Sequence, residues 1–273
     1  MPASSEMKVT RLSGSIGAAI TGVDLKSVDS AGIAAIRAAF LEHCMVVFPN
    51  QFLGADDQHA FAKKLGEIMI YDGIEQDPNL PDGMMKFTND GKDKVITENW
   101  HFDGMYYPEP PAVGILAAQR LPSAGGDTMW SNQYLAYERL SDGLKQILNG
   151  LHCHYETHRV VRKYELGKMP SAIQPAVRRH PETGRLALYV GNPDSCLNFI
   201  GWTRQESEPL IRWLYNHAFR PDAVYRHVWK AGDVVMWDNR CTMHYAVHDY
   251  GSEPRDMHRA TIKGERALGP LES

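Results

Sequence analysis

Nowhere in the 273 residues is there an uninterrupted apolar run of the roughly 18 residues that would mark a membrane-crossing helix. The N-terminus lacks the charged segment, apolar stretch and small-residue cleavage site of a secretory leader, so a soluble, cytoplasmic protein is the expectation. Cysteine is scarce. Cys44, Cys153, Cys196 and Cys241 are far apart and form no C-x-x-C pair, which points to buried, reduced thiols, although an even count leaves disulfides open. Positive charge is not in excess, since 29 Lys and Arg face 33 Asp and Glu for a net charge of −4. That balance gives no basic footprint for nucleic acid or an anionic membrane surface and leaves small molecules as the expected partners. Repeats, low-complexity tracts and linkers are also missing. With 43% apolar residues the chain can bury a substantial core, and one domain over residues 1–273 is expected.

What is present is a succession of short elements. Ile33, Ile36, Ala39 and Phe40 recur at helical spacing over 31–43, with Asp29 and Ser30 as candidate caps, and 44–48 follows as a buried strand ending at Pro49. Further helical patterns cover 57–65 and 134–148. Thr203 followed by Glu206 has the form of a capping box opening a helix through Leu210, Trp213, Leu214 and His217. Strands are expected over 151–157, 185–190, 224–229, 234–237 and 259–263, with a turn at Gly232-Asp233. Two stretches look irregular: 70–97, and a basic one beginning at His158. Both are candidate covering loops. Many short strands after a helical start favour a mainly β core with flanking helices.

The chemistry concentrates at His101-Phe102-Asp103. Extended backbone turns His101 and Asp103 to one face and Phe102 to the other. With the remote His244 they form two imidazoles and one carboxylate, a set that suits non-haem Fe(II) and oxygen activation, with zinc as the rival metal. Arg255 and Arg259 share a face whether their segment is a strand or a helix, and guanidinium forks suit a dicarboxylate beside a metal. His180, His217, His227, His248 and His258 have no such context and are read as packing or surface histidines.

These motifs, taken in order, resemble the taurine/2,4-dichlorophenoxyacetate dioxygenase (TauD/TfdA) family of Fe(II)- and 2-oxoglutarate-dependent oxygenases. The resemblance runs from Gly17–Leu25 through Trp100–Asp103, Pro110–Ala112 and Pro122–Thr128 to Gly232–Arg240, His244 and the two arginines. It implies a double-stranded β-helix, or jelly roll. It implies that His101, Asp103 and His244 hold Fe(II), and that Arg255, helped by the Thr128 hydroxyl, pairs with the distal carboxylate of 2-oxoglutarate. Arg259 matches an arginine near the co-substrate's C1 carboxylate that also contacts anionic substrates. The implied reaction consumes O2 and 2-oxoglutarate, releases succinate and CO2, and abstracts hydrogen from a substrate C–H bond. Hydroxylation follows, with C–O, C–N or C–S cleavage where the carbon bears a heteroatom. Members commonly form dimers or tetramers, so a homo-oligomer is compatible with the resemblance.

Substrate identity is less legible. Taurine oxygenases carry a sulfonate-binding histidine in the stretch matching residues 66–71, and this chain has none there. Tyr71, Thr97, Tyr106 and Tyr107 are the candidate substrate walls and, with Arg259, point to a small anion. Oxidative desaturation or other bond formation on the same centre, a zinc-dependent hydrolase or lyase, and a noncatalytic jelly-roll binding protein stand as alternatives. Retention of Asp103 weighs against a halogenase.

Overall fold

The computed structural model describes residues 6–71, 75–89, 98–156 and 170–272. Its largest sheet has seven strands in the order β1 (Lys8–Arg11), β2 (Ala18–Thr21), β3 (Met45–Phe48), β13 (Val234–Asp238), β5 (Val113–Arg120), β15 (Arg255–Ile262) and β4 (Met85–Asn89). A three-stranded sheet, β12 (Val224–His227), β6 (Thr128–Asn132) and β14 (Thr242–Ala246), faces it. Behind lie a second three-stranded sheet, β11 (Cys196–Phe199), β7 (His152–Glu156) and β8 (Ser171–Pro175), and the pair β10 (Leu186–Leu188) and β9 (Val177–Arg179). Two facing sheets with flanking helices make the double-stranded β-helix type of fold. Among the described residues no helix is long and apolar enough to cross a membrane.

The period-two alternation of strand side chains divides the core into layers. On β13, Val234 and Met236 pack outward with Ile36, Phe40 and Phe61 of the helices α1 (Ser30–His43) and α2 (Ala55–Leu65). Val235 and Trp237 of the same strand point inward with Trp130 and Trp229. A strand so placed is buried on both faces, and every residue of β13 is buried. A third layer, with Phe102, Tyr155, Tyr189 and Phe199, lies behind the smaller facing sheet. All four cysteines are buried and none is in a disulfide.

Local signals account for most element ends. The Asp29 carboxylate accepts the Gly32 N–H at 2.8 Å and opens α1 at Ser30. Cys44 takes a left-handed φ of 65° as the C-cap, so the following strand starts at Met45. Thr203 and Glu206 form the capping box of the helix Arg204–His217.

Several expectations need correction. The single helix expected over 134–148 is two, α3 (Gln133–Glu138) and α4 (Asp142–Leu148). Asn132 caps the first, and Ser141 interrupts the run by accepting the Leu144 N–H as the N-cap of the second. The stretch 70–97 is not irregular throughout, because β4 pairs with β15 at the sheet edge. Its half-buried Met85 and Phe87 alternate with exposed Lys86 and Thr88. The strand expected at 259–263 begins at Arg255, which settles strand over helix for the arginine pair, and it ends at Ile262. Strands expected over 185–190 and 224–229 are shorter, at Leu186–Leu188 and Val224–His227. Strands β1, β2, β5, β6, β8, β9, β11 and β14, the last carrying His244, fall where the sequence pattern predicts none. The basic stretch beginning at His158 lies largely outside the described residues.

One buried side chain ties the His101–Asp103 segment to the turn that carries the chain from β13 in the large sheet to β14 in the facing sheet. Asn239 accepts the Asp103 N–H at 2.8 Å and donates to the carbonyls of Asp103 at 3.0 Å and Pro111 at 2.9 Å. The turn is itself fixed by Asp238, whose carboxylate accepts from Arg240 Nε at 2.8 Å and His180 Nε2 at 3.0 Å. Asn239→Ala would leave a buried amide and two buried carbonyls without partners, at a cost of about 3 kcal/mol. The expected outcome is a melting temperature lower by roughly 6–12 °C for a domain of this size. A scan showing an unchanged transition would contradict this assignment.

Candidate active site

His101 and His244 are cross-strand neighbours. An isolated antiparallel bridge joins them, with the His101 N–H donating to the His244 carbonyl at 3.0 Å and the reverse bond at 2.9 Å. Directly opposed residues in such a pair point to the same face, and the two rings lie with centroids 4.2 Å apart. Asp103, two residues on, joins them. Phe102 turns away and packs edge-on against Tyr189 at 4.6 Å. Gly104 then reverses the chain at φ 62°, where a Cβ would come within 2.7 Å of Pro111 Cδ.

The donor atoms converge. His101 Nε2 and His244 Nε2 are each 3.8 Å from the Asp103 carboxylate, and one ligand atom from each residue lies within 4.8 Å of the others. His101 Nδ1 is 2.7 Å from the Asn99 carbonyl. A carbonyl only accepts, so Nδ1 carries the proton and Nε2 presents its lone pair to the centre. Burial, then the neighbouring His101, holds His244 well below the usual histidine pKa, which keeps it neutral as a ligand must be. Its buried Nδ1 has no hydrogen-bond partner among the described residues, and the Trp237 ring stands 4.9 Å away. Burial alone would raise the Asp103 pKa, but the Arg259 charge and the two imidazoles outweigh it and keep the group ionised. Two neutral imidazoles and a carboxylate on one side fit a borderline divalent ion with its remaining positions open to small molecules.

Both arginines are on the inward face of β15. Arg259 is buried, with Nη2 2.5 Å and Nη1 3.3 Å from the two Asp103 oxygens and Nε 3.1 Å from Thr261 Oγ1. Trp237 and Phe87 lie beside its guanidinium, at 5.2 and 5.9 Å. Arg255 is different: its Nε donates to the Gly126 carbonyl at 3.0 Å, and no carboxylate among the described residues forms an ion pair with it. Gly126, at φ 72°, permits this approach, since a Cβ there would meet Arg255 Cδ and Nε at 3.1 Å. Thr128, two residues on, faces the same inter-sheet space, and its Oγ1 accepts the Trp229 indole N–H at 3.0 Å. Trp229 also lies 6.0 Å from the Arg255 guanidinium.

Of the candidate substrate walls, Tyr71 and Tyr107 are in ring contact at 6.0 Å, and Tyr106 and Tyr107 at 4.8 Å. Tyr71 and Tyr106 are close enough to influence Arg259 electrostatically. Thr97 lies outside the described residues. Of the five histidines read as packing or surface groups, four are partnered away from the centre: His180 by Asp238, His217 by the Ala136 carbonyl, His227 by Asp233 and His248 by Glu98. The buried Nδ1 of His258 has no hydrogen-bond partner among the described residues. Asn239, Trp229 and Phe87 were missed as site residues by sequence reasoning. For Phe87 the Met85/Phe87 alternation was the available signal. For Asn239 and Trp229 the contacts span 136 and 101 residues, and no local pattern carries them.

The family model of the taurine catabolism dioxygenase TauD, TfdA family matches residues 8–261. The (S)-phenoxypropionate/alpha-ketoglutarate-dioxygenase of Sphingobium herbicidovorans is 32% identical over 95% of this chain and 96% of its own. The alpha-ketoglutarate-dependent sulfate ester dioxygenase of Pseudomonas putida is 32% identical over 98% and 93%. The crystal structure of a taurine dioxygenase from Burkholderia xenovorans superposes with a TM-score of 0.86 at 34% identity, covering 98% of this chain and 94% of that one. With the His101/Asp103/His244 facial triad in place, the chain belongs to the TauD/TfdA family and is an Fe(II)- and 2-oxoglutarate-dependent dioxygenase.

Proposed function

We propose that this enzyme oxidises a small organic monoanion with an apolar body by C–H abstraction and hydroxylation, in one catalytic domain, with 2-oxoglutarate held between the metal and Arg255. The observation carrying the co-substrate assignment is Arg255, a half-buried cation with no carboxylate partner among the described residues. Burial lowers its pKa, so it is a charged group in need of an anion, and the Thr128 hydroxyl is the neutral polar group at the same place. A bidentate guanidinium–carboxylate pair there orients the distal end of the co-substrate. Bound Fe(II) supplies the coupling of O2 reduction to decarboxylation of the 2-oxo acid.

Charge supports the substrate class. With the imidazoles neutral, two guanidiniums and a divalent ion exceed the single Asp103 carboxylate by three charges, and the dianionic co-substrate leaves one positive charge uncompensated. Arg259 keeps N–H groups beyond those given to Asp103 and Thr261 and is the residue placed to meet that anion or the co-substrate's C1 carboxylate. Tyr71, Tyr106, Tyr107 and Phe87 give the same region aromatic surface, which suits an apolar body. Thr97 is proposed as a further wall. Relatives named for phenoxypropionate, sulfate esters and alkyl sulfates agree with an anionic head on an apolar body. If the carbon oxidised bears the ester or ether oxygen, hydroxylation there gives a hemiacetal-type product that collapses with C–O cleavage. The cytoplasm and a homo-oligomeric state complete the proposal.

Anaerobic addition of Fe(II) and then 2-oxoglutarate is expected to produce the weak visible band of the chelate, and His101→Ala and Asp103→Ala should lose both the band and iron-dependent succinate release. A wild-type enzyme without the band would count against the reading. In Arg255→Ala the calorimetric Kd for 2-oxoglutarate should rise about a hundredfold, the loss of roughly 3 kcal/mol expected for charge-assisted hydrogen bonds. Unchanged affinity would remove Arg255 from the clamp. In a succinate-release screen, alkyl sulfates and aryloxyalkanoates should be turned over and their neutral or cationic analogues should not. Products should gain one oxygen atom or appear as cleavage fragments, whereas loss of two hydrogens would establish desaturation instead.

A further inference from the structure

A threonine hydroxyl can accept and donate, and at Thr128 the structure divides these roles. The Trp229 indole N–H can only donate, and it points at Thr128 Oγ1 from 3.0 Å within the buried inter-sheet layer. The oxygen is therefore an acceptor on that side, and its own proton has no acceptor among the described residues. The indole is held from several directions. His227 packs edge-on against it at 4.9 Å, and one oxygen of the Asp233 carboxylate binds both His227 Nε2 and the Lys230 N–H at 3.0 Å, tying down the chain on either side of Trp229. The ring's other neighbour is the Arg255 guanidinium.

We infer that Trp229 is a positioning residue: its N–H fixes the Thr128 hydroxyl as a donor aimed at the distal carboxylate of 2-oxoglutarate, while its ring braces Arg255. This rests on the Thr128–Arg255 clamp proposed above. Without the indole N–H the hydroxyl rotor is free to turn, and the donated bond is no longer preorganised.

The test is calorimetric titration of the anaerobic Fe(II) protein with 2-oxoglutarate and with pyruvate, a 2-oxo acid that lacks the distal carboxylate. Trp229→Phe should weaken 2-oxoglutarate binding by about three- to tenfold, the range for one neutral hydrogen bond, and leave pyruvate affinity unchanged. In a Thr128→Val background the same substitution should have no further effect, whereas Thr128→Ser should restore both affinity and sensitivity to Trp229→Phe. If the smaller ring prevents folding, benzothienylalanine at position 229 keeps the ring size, replaces N–H by sulfur and carries the same expectation. Wild-type 2-oxoglutarate affinity in the position-229 variant, equal loss for pyruvate, or an undiminished effect in Thr128→Val would each overturn the inference. If Arg255→Ala binds normally the clamp falls and takes this role with it; if Arg255→Ala is weak while the position-229 variant is normal, only the Trp229 role fails.

Discussion

The pair of main-chain hydrogen bonds between His101 and His244 is the constraint from which the active centre is built. It joins residues separated by about half of the chain and does so with backbone groups, so the relative height and facing of the two imidazoles follow from β-pairing geometry rather than from side-chain packing. Once His101 is fixed there, two-residue periodicity places Asp103 on the same side and sends Phe102 into the layer behind. Asn239 completes the arrangement from the opposite direction, because it is rooted in the turn that leads into the strand of His244 and holds both the N–H and the carbonyl of Asp103. Ligands from two remote segments are thereby referred to one turn.

Electrostatics gives the centre its direction. A carboxylate, two buried or half-buried guanidiniums and two neutral imidazoles are arranged so that, among the described residues, only one of the two guanidiniums forms an ion pair. Arg259 has its carboxylate partner in Asp103; Arg255 has the Gly126 carbonyl and the Trp229 ring beside it and no carboxylate ion pair among the described residues. Both lie on one strand at a spacing of four residues, which sets them apart along the inward face of β15. In the proposed function, one end of an elongated dianion is assigned to the metal ligands and its distal carboxylate to Arg255.

The sequence made the centre more legible than the fold around it. His101, Asp103 and His244 stand in motifs whose order matches the family, and the alternation rule alone oriented Phe102 correctly. Helix ends were readable where a side chain supplies the missing backbone partner, as at Asp29 and Thr203. The same physics misled at 134–148, where the apolar pattern continues across Ser141 although its hydroxyl starts a new helix. Strands β5 and β6 escaped notice because they are largely buried, and such strands carry little of the polar alternation that reveals a half-exposed one. The residues that position others were least visible. Asn239 and Trp229 work through hydrogen bonds spanning 136 and 101 residues, and their types are unremarkable in their local context.

The Asp103–Arg259 pair joins the metal-ligand carboxylate directly to a buried guanidinium. A carboxylate shared between a divalent ion and a guanidinium gives less of its charge to each, and Arg259 is buried with Trp237 and Phe87 beside it, where water compensates poorly. Any charge that Asp103 directs toward the metal leaves Arg259 more strongly in need of an anion. If Arg259 meets an anion as proposed, metal loading and anion affinity would be linked through this shared carboxylate, and linkage of this kind is reciprocal: an anion on Arg259 would free Asp103 to hold the metal more tightly.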